Sequence, residues 1–195
     1  MVLKSICVFC GSSDGARPEY AEAAADLGQR LAKAGLKVIY GGAKVGLMGR
    51  VADAALEAGG EVVGVLPTLL REKELAHEGL TEFHEVSSMH ERKAMMADLA
   101  DGFISLPGGA GTMEEAFEVW TWAQLGYHEK PVGFLNVNGY YEKLFSFIEH
   151  IVEEQFLRQQ HADMLLIEPD AASLIKACQD YEPTHVTKWI TDKTR

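Results

Sequence analysis

The stretch Leu106–Trp120, LPGGAGTMEEAFEVW, places Gly108, Gly109 and Gly111 directly ahead of Thr112 and the carboxylates Glu114, Glu115 and Glu118. Glycine permits positive φ and close backbone approach. A glycine turn that opens a helix leaves several backbone N–H groups free, and the helix dipole adds positive potential there. The chemistry implied is an anion cradle. A carboxylate one turn into the same helix cannot face a bound phosphate without repulsion, but it can face what the phosphate carries. On a nucleotide that is the sugar, where a carboxylate stabilises an oxocarbenium-like centre or orients a water against it. A second reading of the same residues needs no chemistry. Thr112-x-x-Glu115 matches a capping box, in which each side chain bonds the other residue's N–H. The sequence leaves both readings open.

Cations come from HERK, residues 90–93. Arg92 suits bidentate contact with phosphate or carboxylate, whereas Lys93 alone also fits a solvated helix face. Two further glycine loops, CGSSDG (10–15) and YGGAKVGLMG (40–49), lack the order of a P-loop, and the dinucleotide fingerprint is poorly matched. Neither an ATPase nor a dehydrogenase is expected. His77, His84, His90 and His128 are scattered without ligand spacing, so no metal site is expected. Met48, Met89, Met95, Met96 and Met113 read as core residues, some able to line a pocket for a flat base. Cys7 and Cys10, in CVFC, fall in a strand-like run and read as buried, inert thiols.

The elements that must position these residues alternate. Strands are expected at 5–11, 37–42, 61–67, 81–87, 102–109, 131–136 and 164–169. Helices are expected at 18–34, 46–59, 89–100, from the glycine turn to Leu125, over about 139–160 as one or a pair, and from Asp170 onward. Residues 68–80 carry little pattern beyond a short helical piece. The rhythm, with its continuous Val/Ile/Leu runs, predicts an α/β fold: a Rossmann-like doubly wound parallel sheet with helices on both faces. Ligands in such sheets bind at the carboxyl ends of strands, near a switch in strand order. All three glycine loops follow strands and could share that edge, which favours a nucleotide-like ligand.

The whole fits 195 residues, 47% hydrophobic and 24% charged. A single domain over 1–183 and a polar tail over 184–195 are expected. The net charge of −11 argues against a general nucleic-acid binder. No apolar run of membrane-spanning length and no signal peptide are evident. Three cysteines, an odd number, fit a reducing cytoplasm rather than a disulfide framework.

PGGAGTMEE (107–115) matches the P-G-G-x-G-T-x-x-E signature of the LONELY GUY (LOG) proteins, and Arg92-Lys93 matches their second motif. The resemblance extends to VFCGSSDG, YGGAKVGLMG and TWAQLGYHEKPVGFLN, covering roughly residues 5–180. It implies hydrolysis of the N-glycosidic bond of a purine nucleoside 5′-monophosphate, with no cofactor, in at least a homodimer. It implies Arg92 and Glu115 as the catalytic pair. Gly108, Gly109, Ala110, Gly111, Thr112, Met113 and Glu114 would form the substrate-binding turn, with Lys93, Glu74 and Thr121 completing the site. The competing reading is a non-catalytic nucleotide carrier on the same fold. A pyridoxal-phosphate decarboxylase would need a Schiff-base lysine that nothing in the sequence marks.

Overall fold

The computed structural model describes residues 3–71 and 76–183. Seven strands form one sheet: β1 (Ser5–Phe9), β2 (Lys37–Tyr40), β3 (Val62–Pro67), β4 (Glu82–Val86), β5 (Phe103–Ser105), β6 (Val132–Leu135) and β7 (Leu165–Glu168). Their spatial order is β4-β3-β2-β1-β5-β6-β7, and every pairing is parallel. From β1 the chain winds outward through β2, β3 and β4, then returns to the other flank for β5, β6 and β7. The switch in order therefore lies between β1 and β5, where the fold class places its ligands.

The helices are α1 (Pro18–Lys33), α2 (Gly46–Glu57), α3 (Thr68–Arg71), α4 (Met89–Leu99), α5 (Ala110–Leu125), α6 (Glu142–Glu153), α7 (Gln159–Ala162) and α8 (Ala171–Gln179). Strand alternation splits the core into two layers. Ile6, Val8, Val38, Tyr40 and Ile104 face α1, α2 and α8. Cys7, Phe9, Ile39, Val63 and Phe103 face α4, α5 and α6. This period of two is why both flanks of each central strand read as apolar. Helix ends follow local chemistry: Pro18 opens α1, where its missing N–H costs nothing, and Gly126 closes α5 at φ 79°.

The expected elements and the two-faced sheet are present. One expected helical region, 139–160, is more articulated. A 3₁₀ turn over Val137–Gly139 precedes α6, with Asn138 at φ 50° and Gly139 at φ 70°, and α7 follows as a separate turn. Cys7, Cys10 and Cys178 are free and buried. No helix among the described residues is long and apolar enough to cross a membrane. Glu74 and the tail from 184 lie outside the described residues.

Candidate active site

Three loops at the carboxyl ends of β1, β2 and β5 interlock. The Gly11 N–H donates to the Pro107 carbonyl at 3.1 Å, joining the first loop to the third. The Leu47 N–H donates to the Gly11 carbonyl at 3.1 Å, joining the second to the first. The loops approach so closely that side chains are excluded. A Cβ on Gly46, which sits at φ +55°, would lie 2.3 Å from the Ser12 carbonyl carbon. A Cβ on Gly108 would lie 2.1 Å from Thr112 Oγ1. Gly46 is thus fixed by backbone contact and by its positive φ, and Gly108 by the Thr112 side chain and the Gly11 nitrogen.

The third loop delivers the N-terminus of α5. Its N-cap is Gly109, with no side-chain cap, so the capping-box reading of Thr112 and Glu115 does not hold. Helix α5 begins two residues before Thr112, which places that residue inside the first turn and buried. The first-turn N–H groups have no partner within the helix. Gly109, Ala110, Gly111 and Thr112 line a cavity of about 280 Å³ together with Gly11, Ser12 and Gly41. The Ser-x-x-Glu cap pattern is realised at α4 instead. Ser88 Oγ accepts from the Glu91 N–H at 3.1 Å, and Glu91 reaches back to the Ser87 N–H at 2.8 Å. That cap fixes the start of the helix carrying Arg92.

Arg92 is 7% exposed and lines the cavity. Its Nε donates to the Val65 carbonyl at 3.1 Å and its Nη2 to the Gly41 carbonyl at 3.3 Å. Nη1 lies 3.6 Å from Glu115 Oε1. A Cβ on Gly41 would stand 2.0 Å from Arg92 Nη2, so a side chain there would displace the guanidinium from its present position. Glu115 shares the cavity wall, and burial pushes its carboxyl up to about 7, an effect that Arg92 opposes and Glu114 adds to. A carboxyl that titrates near neutrality beside a buried guanidinium is a poised group of the kind found at catalytic centres.

Lys93 leaves α4 in another direction. Its Nζ pairs with Glu114, and with Glu118 at 3.1 Å. Burial alone would lower the Lys93 pKa, but the two carboxylates outweigh it and raise the pKa above the usual lysine value. Lys93, Gly108, Met113, Glu114 and Thr121 are outside the cavity wall; Arg92, Glu115 and residues 109–112 are brought together in it. Thr121 stands six positions after Glu115, about 9 Å along the helix axis. The wall also contains Val8, Phe9, Cys10, Met48 and Met96. Met48 and Met96 are among the methionines read as core residues, some able to line a pocket, and the strand residues carried no signal beyond their apolar run. Burial raises the Cys10 thiol far above the range in which thiolate forms at neutral pH. Among the described residues, no group of His, Cys, Asp and Glu side chains could hold a metal ion.

Residues 48–178 match the family model described as "Possible lysine decarboxylase". A probable cytokinin riboside 5′-monophosphate phosphoribohydrolase of Oryza sativa subsp. japonica, LOGL9, is 49% identical over 92% of this chain and 79% of its own. The cytokinin riboside 5′-monophosphate phosphoribohydrolase LOG3 of Arabidopsis thaliana is 48% identical over 93% of this chain and 85% of its own. Among solved structures, the molybdenum cofactor carrier protein of Chlamydomonas reinhardtii superposes with a TM-score of 0.69 at 22% identity, over 90% of this chain and 95% of that one, a likeness of fold. With the glycine signature at the start of α5, the Arg92–Glu115 pair beneath it and near-half identity along almost the whole chain, this protein belongs to the LOG family of cytokinin riboside 5′-monophosphate phosphoribohydrolases.

Proposed function

We propose that this chain hydrolyses the N-glycosidic bond of N6-substituted adenosine 5′-monophosphates and of AMP itself. Water adds at C1′, the C1′–N9 bond breaks, and the base leaves as the neutral purine after taking up a proton, with ribose 5-phosphate as the other product. The observation that carries this reading is a glycine-lined helix N-terminus and a buried Arg–Glu pair in one cavity. Phosphate binds the N–H groups of residues 109–112. Glu115, one turn deeper, faces the sugar, where positive charge develops as the bond breaks. Ionised Glu115 stabilises that charge and orients the attacking water, and Arg92 holds the carboxylate in place. Groups of this kind contribute about 10²-fold or more each.

The decarboxylase description of the family model fits these residues poorly. A Schiff-base lysine must lose its proton to attack, and among the described residues no lysine lines the cavity. Lys93, on the neighbouring helix position, is held as an ammonium by Glu114 and Glu118.

The test is chromatographic. Purified protein is incubated with N6-isopentenyladenosine 5′-monophosphate, with AMP and with the corresponding nucleosides. Free base is expected from the monophosphates only, and none from Glu115→Gln. Tight nucleotide binding without base release would overturn the reading in favour of a carrier.

A further inference from the structure

The cradle needs its N–H groups aimed at the phosphate, and a glycine-rich turn has little of its own to hold that aim. Two consecutive tyrosines beyond β6 reach back to this turn. Tyr140 donates its hydroxyl to the Gly108 carbonyl at 2.6 Å, and Tyr141 donates to the Leu106 carbonyl at 2.6 Å. Both directly follow the 3₁₀ turn, in which Asn138 and Gly139 have positive φ. Asn136 locks that turn, accepting from the Tyr141 N–H at 2.8 Å and donating to Glu142 at 2.6 Å.

The two bonds have different consequences. In a trans peptide the C=O and the following N–H point in opposite directions. The carbonyl that Tyr141 holds belongs to the Leu106–Pro107 peptide, which has no N–H to aim. Tyr141, 1% exposed and packed edge-on against Phe134, pins the end of β5 to the core. The carbonyl that Tyr140 holds belongs to the Gly108–Gly109 peptide. Its N–H belongs to Gly109, a cavity residue whose N–H has no acceptor among the described residues.

We propose that Tyr140 is a positioning residue for phosphate recognition: its hydroxyl fixes the Gly108–Gly109 peptide so that the Gly109 N–H is presented to the phosphate. Tyr140 is itself buttressed. Its ring meets Tyr20 of α1 edge-on at 5.6 Å, and a Cβ on Gly15 of the first glycine loop would lie 2.8 Å from that same Tyr20 ring. The support therefore spans from the first loop to the third without entering the cavity. Tyr140 touches no reacting atom and acts through the peptide it holds.

The proposal rests on the hydrolase reading for its ligand, but its test does not require turnover. Calorimetric titrations of ribose 5-phosphate and of inorganic phosphate would be run on wild type, Tyr140→Phe and Tyr141→Phe, alongside thermal unfolding and steady-state kinetics. Tyr140→Phe is expected to weaken both anions about three- to tenfold, the range of one lost hydrogen bond. It should raise KM for the monophosphate in step and leave Tm within about 2 °C. Tyr141→Phe is expected to show the reverse pattern, a lowered Tm with anion affinity kept. Unchanged anion affinity in Tyr140→Phe overturns the proposal. So does an equal loss of affinity for the phosphate-free nucleoside, which would mark a general distortion of the cavity. If wild type releases no base yet binds ribose 5-phosphate more tightly than Tyr140→Phe does, the hydrolase reading fails and the positioning role stands.

Discussion

Arg92 and Lys93 are neighbours in sequence, and so are Glu114 and Glu115, yet they form two ion-pair regions of opposite character. The Arg92–Glu115 pair lies in the cavity wall, with side-chain exposures of 9% and 12% and a separation of 3.6 Å. The Lys93 cluster opens to solvent through Glu114, 54% exposed, while Lys93 and Glu118 are more enclosed. One helical step of about 100° on each of two facing helices separates them. Inside the cavity, desolvation dominates and Glu115 rises to about 7. Lys93 is just as enclosed, at 10% exposure, but its two carboxylates together outweigh desolvation and keep it an ammonium. Residue type alone does not tell Glu115 from Glu114; the direction each takes from its helix does.

The largest expected break between the two regions is catalytic. Glu115→Gln should reduce kcat by about 10²-fold or more. Glu118→Gln, which removes one of the two partners of Lys93 outside the cavity wall, should leave kcat within about twofold. Equal losses in steady-state assays would erase the distinction.

A pH profile sharpens it next. If ionised Glu115 is the working form, kcat/KM rises about tenfold per pH unit toward pH 7 and levels off above it. The substrate's own phosphate ionises near pH 6 and must be titrated in parallel. Because Arg92 lowers the Glu115 pKa, Arg92→Met should move the residual activity's limb to higher pH as well as reduce it. A limb that stays in place would mean the pair is not electrostatically coupled.

Lys93→Met should cost less than either cavity substitution, on the order of tenfold in kcat/KM, because α4 and α5 lose a tether rather than a reacting group. The smallest effect is on stability and has the opposite sign. The folded pKa of Glu115 stands above its ordinary value of 4.5, so the native state binds more protons than the unfolded state between 4.5 and about 7. Stability then falls as pH rises through that interval. Glu115→Gln should match wild type below about pH 4.5 and unfold a few degrees higher above pH 7 by calorimetry. A Tm gain at low pH instead would assign the effect to packing.

Much of this was legible in the sequence because apolar runs and glycine or proline punctuation are local signals. β3 was expected at 61–67 and runs Val62–Pro67; α5 was expected to end near Leu125 and does. Arg92, Glu115 and the 109–112 turn, singled out by the resemblance to the LOG motifs, stand together in the cavity wall. What escaped depended on direction rather than composition. The Thr112–Glu115 pattern satisfies a capping box in one dimension, but the helix begins at Ala110 and spends Glu115 elsewhere. Tyr140 and Tyr141 read as part of a helix because the positive φ at Asn138, a non-glycine residue, leaves no reliable mark. Met48 and Met96 line the cavity because of how α2 and α4 cross the sheet, which no period reveals.

The laced loops have a consequence for how the protein is made. Gly11, Leu47 and Pro107 exchange hydrogen bonds across nearly a hundred positions, and Tyr140 closes the set. Contacts so distant along the chain form late in folding. A nascent chain has the first two loops early, but the proposed phosphate turn is complete only when β5 inserts beside β1 and the tyrosine turn docks. On the proposed site, activity therefore waits until both halves of the sheet have been made. Nucleotide binding becomes a test that the central sheet has closed, since no partly folded form can hold a ligand whose site is assembled from both halves of the molecule.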